Sequence, residues 1–153
     1  MKKIFRILLL IFFNTIFILT STVAEEEKIK IGLLVPLTGD NEKIGKQIVK
    51  AVRMALKDIG TNQIEVYPKD TQSDPNTTFR SAVELDQMGI NLIIGPVFYE
   101  NLIYLNEINN ITFLSLTNKT LDLPKNVISA GINSTSQLNT IKKFIEINEI
   151  KKT

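Results

Sequence analysis

At 153 residues and 44% apolar content, the sequence has the size and composition of one globular domain rather than of a disordered chain. It contains no cysteine and no histidine, which excludes disulfides, thiol nucleophiles, Ser-His-Asp triads and any zinc site built on imidazole or thiolate. The formal net charge of +2 is too small to give the broad positive field that nucleic acid requires.

The first 24 residues read as a targeting segment. Lys2, Lys3 and Arg6 precede an apolar stretch from Ile7 to Leu19, and Thr22-Val23-Ala24 stands before the acidic Glu25-Glu26-Glu27. We expect a signal peptide over 1–24, cut after Ala24. An uncleaved membrane anchor is the alternative, but the stretch is short for a span and Asn14-Thr15 interrupt it. No cysteine follows the cut, so a lipoprotein anchor is excluded. Removing the three leader cations from the 18 Lys and Arg leaves 15 against 16 acidic residues, a net charge of −1. Export without cysteines suits a bacterial periplasm better than an animal secretory pathway, where small domains often carry disulfides.

After the leader, Lys28 to Leu37 contains Ile29, Ile31 and Leu33-Leu34-Val35, a nearly continuous apolar run that suits a strand buried on both faces of a parallel sheet. Pro36 and Gly39 end it. Ile44, Ile48, Ala51, Val52, Ala55 and Ile59 then recur at helical spacing, and Gly60 stops the helix. The pattern repeats: a strand over Gln63 to Pro68, a loop over Asp70 to Pro75, and a helix over Thr77 to Met88 closed by Gly89. Asp74-Pro75 is a start signal, because Asp can cap free amides and Pro is tolerated at the first helical position.

A third strand, Asn91 to Ile94, runs into Gly95-Pro96, and a helix is expected around Glu100 to Ile108. Short strands over Ile111 to Leu116 and Val127 to Ala130 follow, then a last helix from about Ser134. There Ser134 and Gln137 have the spacing of a capping box, and Leu138, Ile141 and Ile145 are expected to form its inner stripe. Strand and helix alternate throughout, which predicts an α/β fold with an open parallel sheet, right-handed crossovers and helices on both faces.

The stretch PLTGDNEKIGKQ, Pro36 to Gln47, has some look of a phosphate-binding loop. Such a loop needs four residues between its glycines and a hydroxyl after the lysine, whereas here five residues separate Gly39 from Gly45 and Gln47 follows Lys46. The dinucleotide fingerprint also fails, since no second glycine stands two residues after Gly39. Lys46 is then a solvated helix residue, and no cofactor is implied. In an open parallel sheet, ligands sit outside the carboxyl ends of the strands where the strand order reverses. For the order 2-1-3-4-5 that point lies between the first and third strands. The loop at Leu37-Thr38-Gly39 and the loop at Gly95-Pro96-Val97-Phe98-Tyr99 would face one crevice, with Ser115 to Asn118 beside them.

Four segments in order, IKIGLLVPLTG, IEVYPKDTQSDP, INLIIGPVFYEN and ITFLSLTN, resemble the first lobe of the type I periplasmic solute-binding proteins, the leucine/isoleucine/valine-binding group. The resemblance covers nearly all of the chain after the leader. It implies that 25–153 is the N-terminal lobe of a two-lobed flytrap whose second lobe is missing, and that ligand contacts come from the loops after the first, third and fourth strands. The family commonly has Ser where Tyr99 stands, and its polar segment after the fourth strand falls on Thr117-Asn118-Lys119. GPV followed by VISAGINSTSQ is also similar to a neighbouring branch, the penicillin-binding-protein activators.

The expected ligand-binding set is therefore Thr38, Gly39, Gly95, Pro96, Tyr99, Ser115, Thr117 and Asn118. Each has a plainer reading beside it. Thr38, Thr117 and Asn118 can serve ordinary turn chemistry, Tyr99 can simply pack over the crevice, and Gly95-Pro96 can be a strand-ending turn that permits close backbone approach. Asp70 and Asp74 read as turn and cap residues rather than as an acid/base pair or a cation site. Lys142, Lys143, Lys151 and Lys152 read as a solvated face and tail. What the resemblance implies is a periplasmic substrate-binding component of an ABC importer, not an enzyme, that binds an amino acid or similar small polar solute and works with an inner-membrane ABC permease. The alternative is a non-transport regulator of peptidoglycan synthesis that binds a penicillin-binding protein. No nucleic acid partner, metal or cofactor is expected.

Overall fold

The computed structural model describes residues 28–150 together with Ile4 and Arg6. The rest of the expected signal peptide, its cleavage point, and Lys151 and Lys152 lie outside the described residues.

Five parallel strands form one sheet in the order β2-β1-β3-β4-β5. They are β1 (Ile29–Val35), β2 (Ile64–Asp70), β3 (Leu92–Ile94), β4 (Thr112–Ser115) and β5 (Val127–Ser129). This is the expected α/β sheet, with its order reversing between β1 and β3. Helix α1 (Glu42–Ile59) connects β1 to β2 and ends at Gly60, whose φ of 67° gives the left-handed turn that a side chain would disfavour. Helix α2 (Pro75–Gln87) starts as its sequence predicts, with the Asp74 carboxylate accepting from Thr77 N–H at 2.7 Å and Pro75 in the first turn.

The largest core cluster lies on one sheet face, while Leu33 and Val35 of β1 are buried on the other. Register pairs Gly32 with Ile93, Ile93 with Phe113 and Phe113 with Val127, so these residues form one row across the sheet. Leu34, Ile93, Phe113 and Val127 pack there against Ala82 and Leu85 of α2. Gly32 leaves the room, since a Cβ there would stand 2.8 Å from Leu85.

The expected helix over Glu100 to Ile108 is not an α-helix. Two 3₁₀ turns, Tyr99–Leu102 and Leu105–Glu107, take its place. The buried residues explain this: Leu102, Leu105 and Ile108 recur every third position, the period of a 3₁₀ turn, and all three enter the core. In α1 the half-buried apolar positions are Ile48, Val49, Val52 and Leu56, whereas Ile44, Ala51, Ala55 and Ile59 are exposed. The stripe therefore sits to one side of the predicted one.

Helix α3 (Ser134–Ile147) departs further. Its cap is Asn133, whose side chain accepts from Ser136 N–H at 2.9 Å, not Ser134, so the capping box does not form. Its expected inner stripe is exposed, Leu138 at 64%, Ile141 at 55% and Ile145 at 42%, because no described element packs on it.

Candidate functional site

Three loops leave the carboxyl edge of the sheet beside the order reversal, and each is held differently. The loop after β1 is tied to the end of β2. Leu37 N–H donates to Asp70 Oδ1 at 2.7 Å and the Thr38 hydroxyl donates to Asp70 Oδ2 at 2.5 Å. Gln72 N–H donates to Oδ1 as well, at 2.9 Å. Burial pushes the Asp70 carboxyl up, but the hydrogen bonds from the Thr38 hydroxyl and from the Gln72, Leu37 and Thr38 amides outweigh it and hold the group below its ordinary range. Asn41 Nδ2 donates to Ser73 Oγ at 3.0 Å and joins the same two loops again.

Thr38 and Gly39 are exposed on this loop, with Gly39 in the left-handed region at φ 79°. Close backbone approach explains the second glycine of the stretch. A Cβ on Gly45 would stand 1.7 Å from the Pro36 carbonyl oxygen, so the glycine lets the first turn of α1 press against the end of β1. Lys46 pairs with Glu42 one turn earlier on the exposed helix face. Neither residue serves a phosphate loop.

The loops after β3 and β4 are joined through buried atoms. Gly95 and Pro96 are buried and linked by a cis peptide bond. Gly95 has φ 106°, and a Cβ there would meet the Leu34 carbonyl oxygen at 2.2 Å, so this residue gives the β3 end its close approach to β1. The Ser115 hydroxyl donates to the Pro96 carbonyl at 2.9 Å and accepts from Thr117 N–H at 3.3 Å. Thr117 O accepts from the Ser129 hydroxyl and from Gly131 N–H, at 2.8 and 3.1 Å. The Thr117 hydroxyl accepts from Lys119 N–H at 3.2 Å.

The crest that remains open is small. Asn118 is exposed, Tyr99 is half-buried, and Lys119 Nζ lies 3.4 Å from the Tyr99 ring centroid. A cation over an aromatic face contributes about 0.5–1 kcal/mol at such exposure. A cavity of about 630 Å³ opens on the other side, lined among others by Pro75, Leu102, Ile103 and Leu123. Of the expected residues it shares only Tyr99, so its apolar wall is separate from the polar crest.

Gly95, Pro96, Ser115 and Thr117 thus come together as one buried network, and Tyr99 comes to Lys119. Thr38 and Gly39 belong to the Asp70 assembly. Sequence reasoning passed over Asp70 as an organiser of the first loop and Lys119 as a partner of Tyr99. Asp70 was legible only as a turn residue, since its reach to Thr38 depends on the register that sets Val35 beside it. Among the described residues, no group of acidic side chains has the arrangement of a metal site.

The sequence matches the model of the periplasmic binding protein family over residues 28–145. A search of the curated proteins finds no match. Among solved structures, the chain is similar to the C-domain of LpoA from Haemophilus influenzae, a regulator of PBP1A, with 23% identity and a TM-score of 0.65 over 80% of this chain and 38% of that one. It is similar to a solute-binding protein of an ABC transporter from Rhodopseudomonas palustris, in complex with 3,4-dihydroxybenzoic acid, with 29% identity and a TM-score of 0.56 over 60% of this chain and 28% of that one. The leucine-binding protein LivK of Thermotoga maritima matches with 19% identity and a TM-score of 0.61 over 78% of this chain and 37% of that one. The chain therefore spans well under half the length of these structures. With its sheet order of a type I lobe and a family match over most of its length, the chain belongs to the periplasmic binding protein family.

Proposed function

We propose that residues 25 onward form the first lobe of an exported solute-binding component of an ABC importer, which holds a small organic solute at the carboxyl edge of its sheet. One observation carries this reading: the loops after β1, β3 and β4 stand at the strand-order reversal, where open parallel sheets take ligands, with Tyr99 and Lys119 at the crest. The R. palustris protein that binds 3,4-dihydroxybenzoic acid supports a small polar solute. Thr38, Gly39 and Asn118 are the exposed members of the expected set, and they are proposed as contacts. Gly95, Pro96, Ser115 and Thr117 are buried, so their proposed role is to shape the two loops from beneath. Capture of a solute by one lobe gains affinity when an opposing wall closes over it. The amino acid and the permease expected from sequence remain the proposed cargo class and partner, and the periplasm the proposed compartment.

A second reading is favoured by the internal use of the crest hydroxyls. Ser115 and Thr38 spend their protons on Pro96 and Asp70, which leaves few donors for a solute. The LpoA match then supports a regulator that binds a penicillin-binding protein. The test is a thermal-shift panel of amino acids and small organic acids on the full-length gene product, alongside a pull-down with purified penicillin-binding proteins. A solute that raises the unfolding temperature and binds in calorimetry supports the first reading. A silent panel with a retained penicillin-binding protein replaces it with the second.

A further inference from the structure

We propose that helix α1 is a docking surface for an anionic phospholipid bilayer, which it meets with a row of five cations, Lys43, Lys46, Lys50, Arg53 and Lys57. The steps between them alternate between three and four residues, so the five share one side of the helix over about 21 Å, at about 1.5 Å per residue. All five are exposed, and the half-buried side of α1, with Ile48, Val52 and Leu56, lies opposite. No acidic residue interrupts the sequence from Lys43 to Lys57. Glu42 pairs with Lys46 at one end of the row, and Asp58 follows at the other. The charge is segregated: α1 holds these five cations and two acids, whereas the other residues of 25–153 hold 10 Lys and Arg against 14 acids. The helix is thus a basic strip on a chain that is otherwise acidic.

A row of Lys and Arg along a helix is drawn to an anionic lipid surface, with about a fivefold gain for each cation that reaches it. Two features favour a bilayer over a dissolved polyanion. Met54 stands one turn from both Lys50 and Lys57 and is 57% exposed, so the row carries an apolar side chain that fits the boundary between headgroups and acyl chains. The groove at the start of α1, beside Lys43, Lys46 and Lys50, is lined by Asp40 and Glu42 as well, so it is not a cationic channel for a phosphate chain. Helix α1 runs back beside the parallel strands it connects, so a bilayer along the row meets the flank of the sheet and leaves the carboxyl edge open. The docking surface is therefore independent of which solute or partner that edge takes.

Co-sedimentation of the full-length gene product with vesicles tests this, using phosphatidylcholine alone and phosphatidylcholine with about one part in three of phosphatidylglycerol. An uncut leader would bind both, so their ratio reads the charge. The expected result is binding to the anionic vesicles at least about tenfold tighter in about 0.05 M salt, with most of the difference lost in about 0.5 M salt. Lys50→Gln together with Arg53→Gln should weaken anionic binding at least about tenfold, while glutamine keeps the helix and the urea midpoint. Lys50→Arg with Arg53→Lys should bind as the wild type does. Lys142→Gln with Lys143→Gln removes the same charge from α3 and should change binding by less than about twofold. Equal binding to the two vesicles, or an equal loss from the α1 and α3 variants, overturns the inference. So does binding to dissolved polyphosphate as tight as to the anionic vesicles, which would assign the row to a linear polyanion. None of these outcomes bears on the solute-binding reading, which the solute panel tests separately.

Discussion

The carboxylate of Asp70, the last residue of β2, holds Thr38 in the loop after β1 through a 2.5 Å hydrogen bond from the Thr38 hydroxyl, and accepts from Leu37 N–H with its other oxygen. Two residues 32 apart in the chain thereby preset the first loop of the crest. Asp70→Ala should lower the unfolding free energy by about 1–3 kcal/mol, because the Leu37 amide and Thr38 hydroxyl lose a charged acceptor. Thr38→Val should cost about 1 kcal/mol, and the double variant less than the sum, since both changes break the same bond. Urea denaturation of the four proteins measures the coupling; strict additivity would mean the bond contributes nothing.

Acid should unfold this protein through the same group. The folded-state pKa of Asp70 is lowered, and so are those of Asp74, by the Thr77 amide and hydroxyl, and of Glu84, by Lys69. A lowered folded pKa means the unfolded chain binds more protons as pH falls, so the stabilisation is complete above the ordinary carboxylate range of about 4 and is lost below it. The urea midpoint should be level from about pH 7 to pH 5 and decline toward pH 3. Asp70→Asn should start lower and decline less. A wild-type midpoint unchanged at pH 3 would contradict this account.

Two glycines in the same stretch should respond differently to alanine. Gly45→Ala puts a methyl 1.7 Å from the Pro36 carbonyl oxygen, so α1 must move, at a cost of about 3 kcal/mol or more. Gly39→Ala meets nothing within 4 Å and has only the left-handed backbone to oppose it, at about 1–2 kcal/mol. Equal urea midpoints for the two variants would show that close approach is not what Gly45 supplies.

Asn126 should matter more than its place before a short strand suggests. Its Nδ2 donates to the carbonyls of Leu105 and Ile108, both at 2.8 Å, which fastens the second 3₁₀ turn to the start of β5. Asn126→Ala should cost about 1–3 kcal/mol by leaving two carbonyls without that donor. Asn126→Asp should cost more, since a carboxylate there would face two carbonyl oxygens. Thermal unfolding of both variants separates the lost bond from the added repulsion.

The sheet and most of its elements were legible because their signals are local. Alternating apolar runs and helical stripes place the five strands and three helices of residues 28–150, Asp74-Pro75 marks the start of α2, and Gly60 marks the end of α1. The 3₁₀ turns after β3 were misread as a helix because a three-residue apolar spacing also fits an α-helical face over so short a segment. The stripe on α3 was real in sequence, but burial depends on a partner surface, and no described element provides one.

The sequence by itself therefore determined the fold class, because strand and helix periods are written in neighbouring residues. It also removed phosphate-loop and thiol or imidazole chemistry by counting. Only the tertiary structure decided what the crest residues do. Whether a Ser or Thr hydroxyl is free or spent depends on acceptors such as Asp70 and Pro96, which register and loop packing bring in from other strands. The pairing of Tyr99 with Lys119 across two loops is set in the same way, by strand adjacency and not by spacing along the chain.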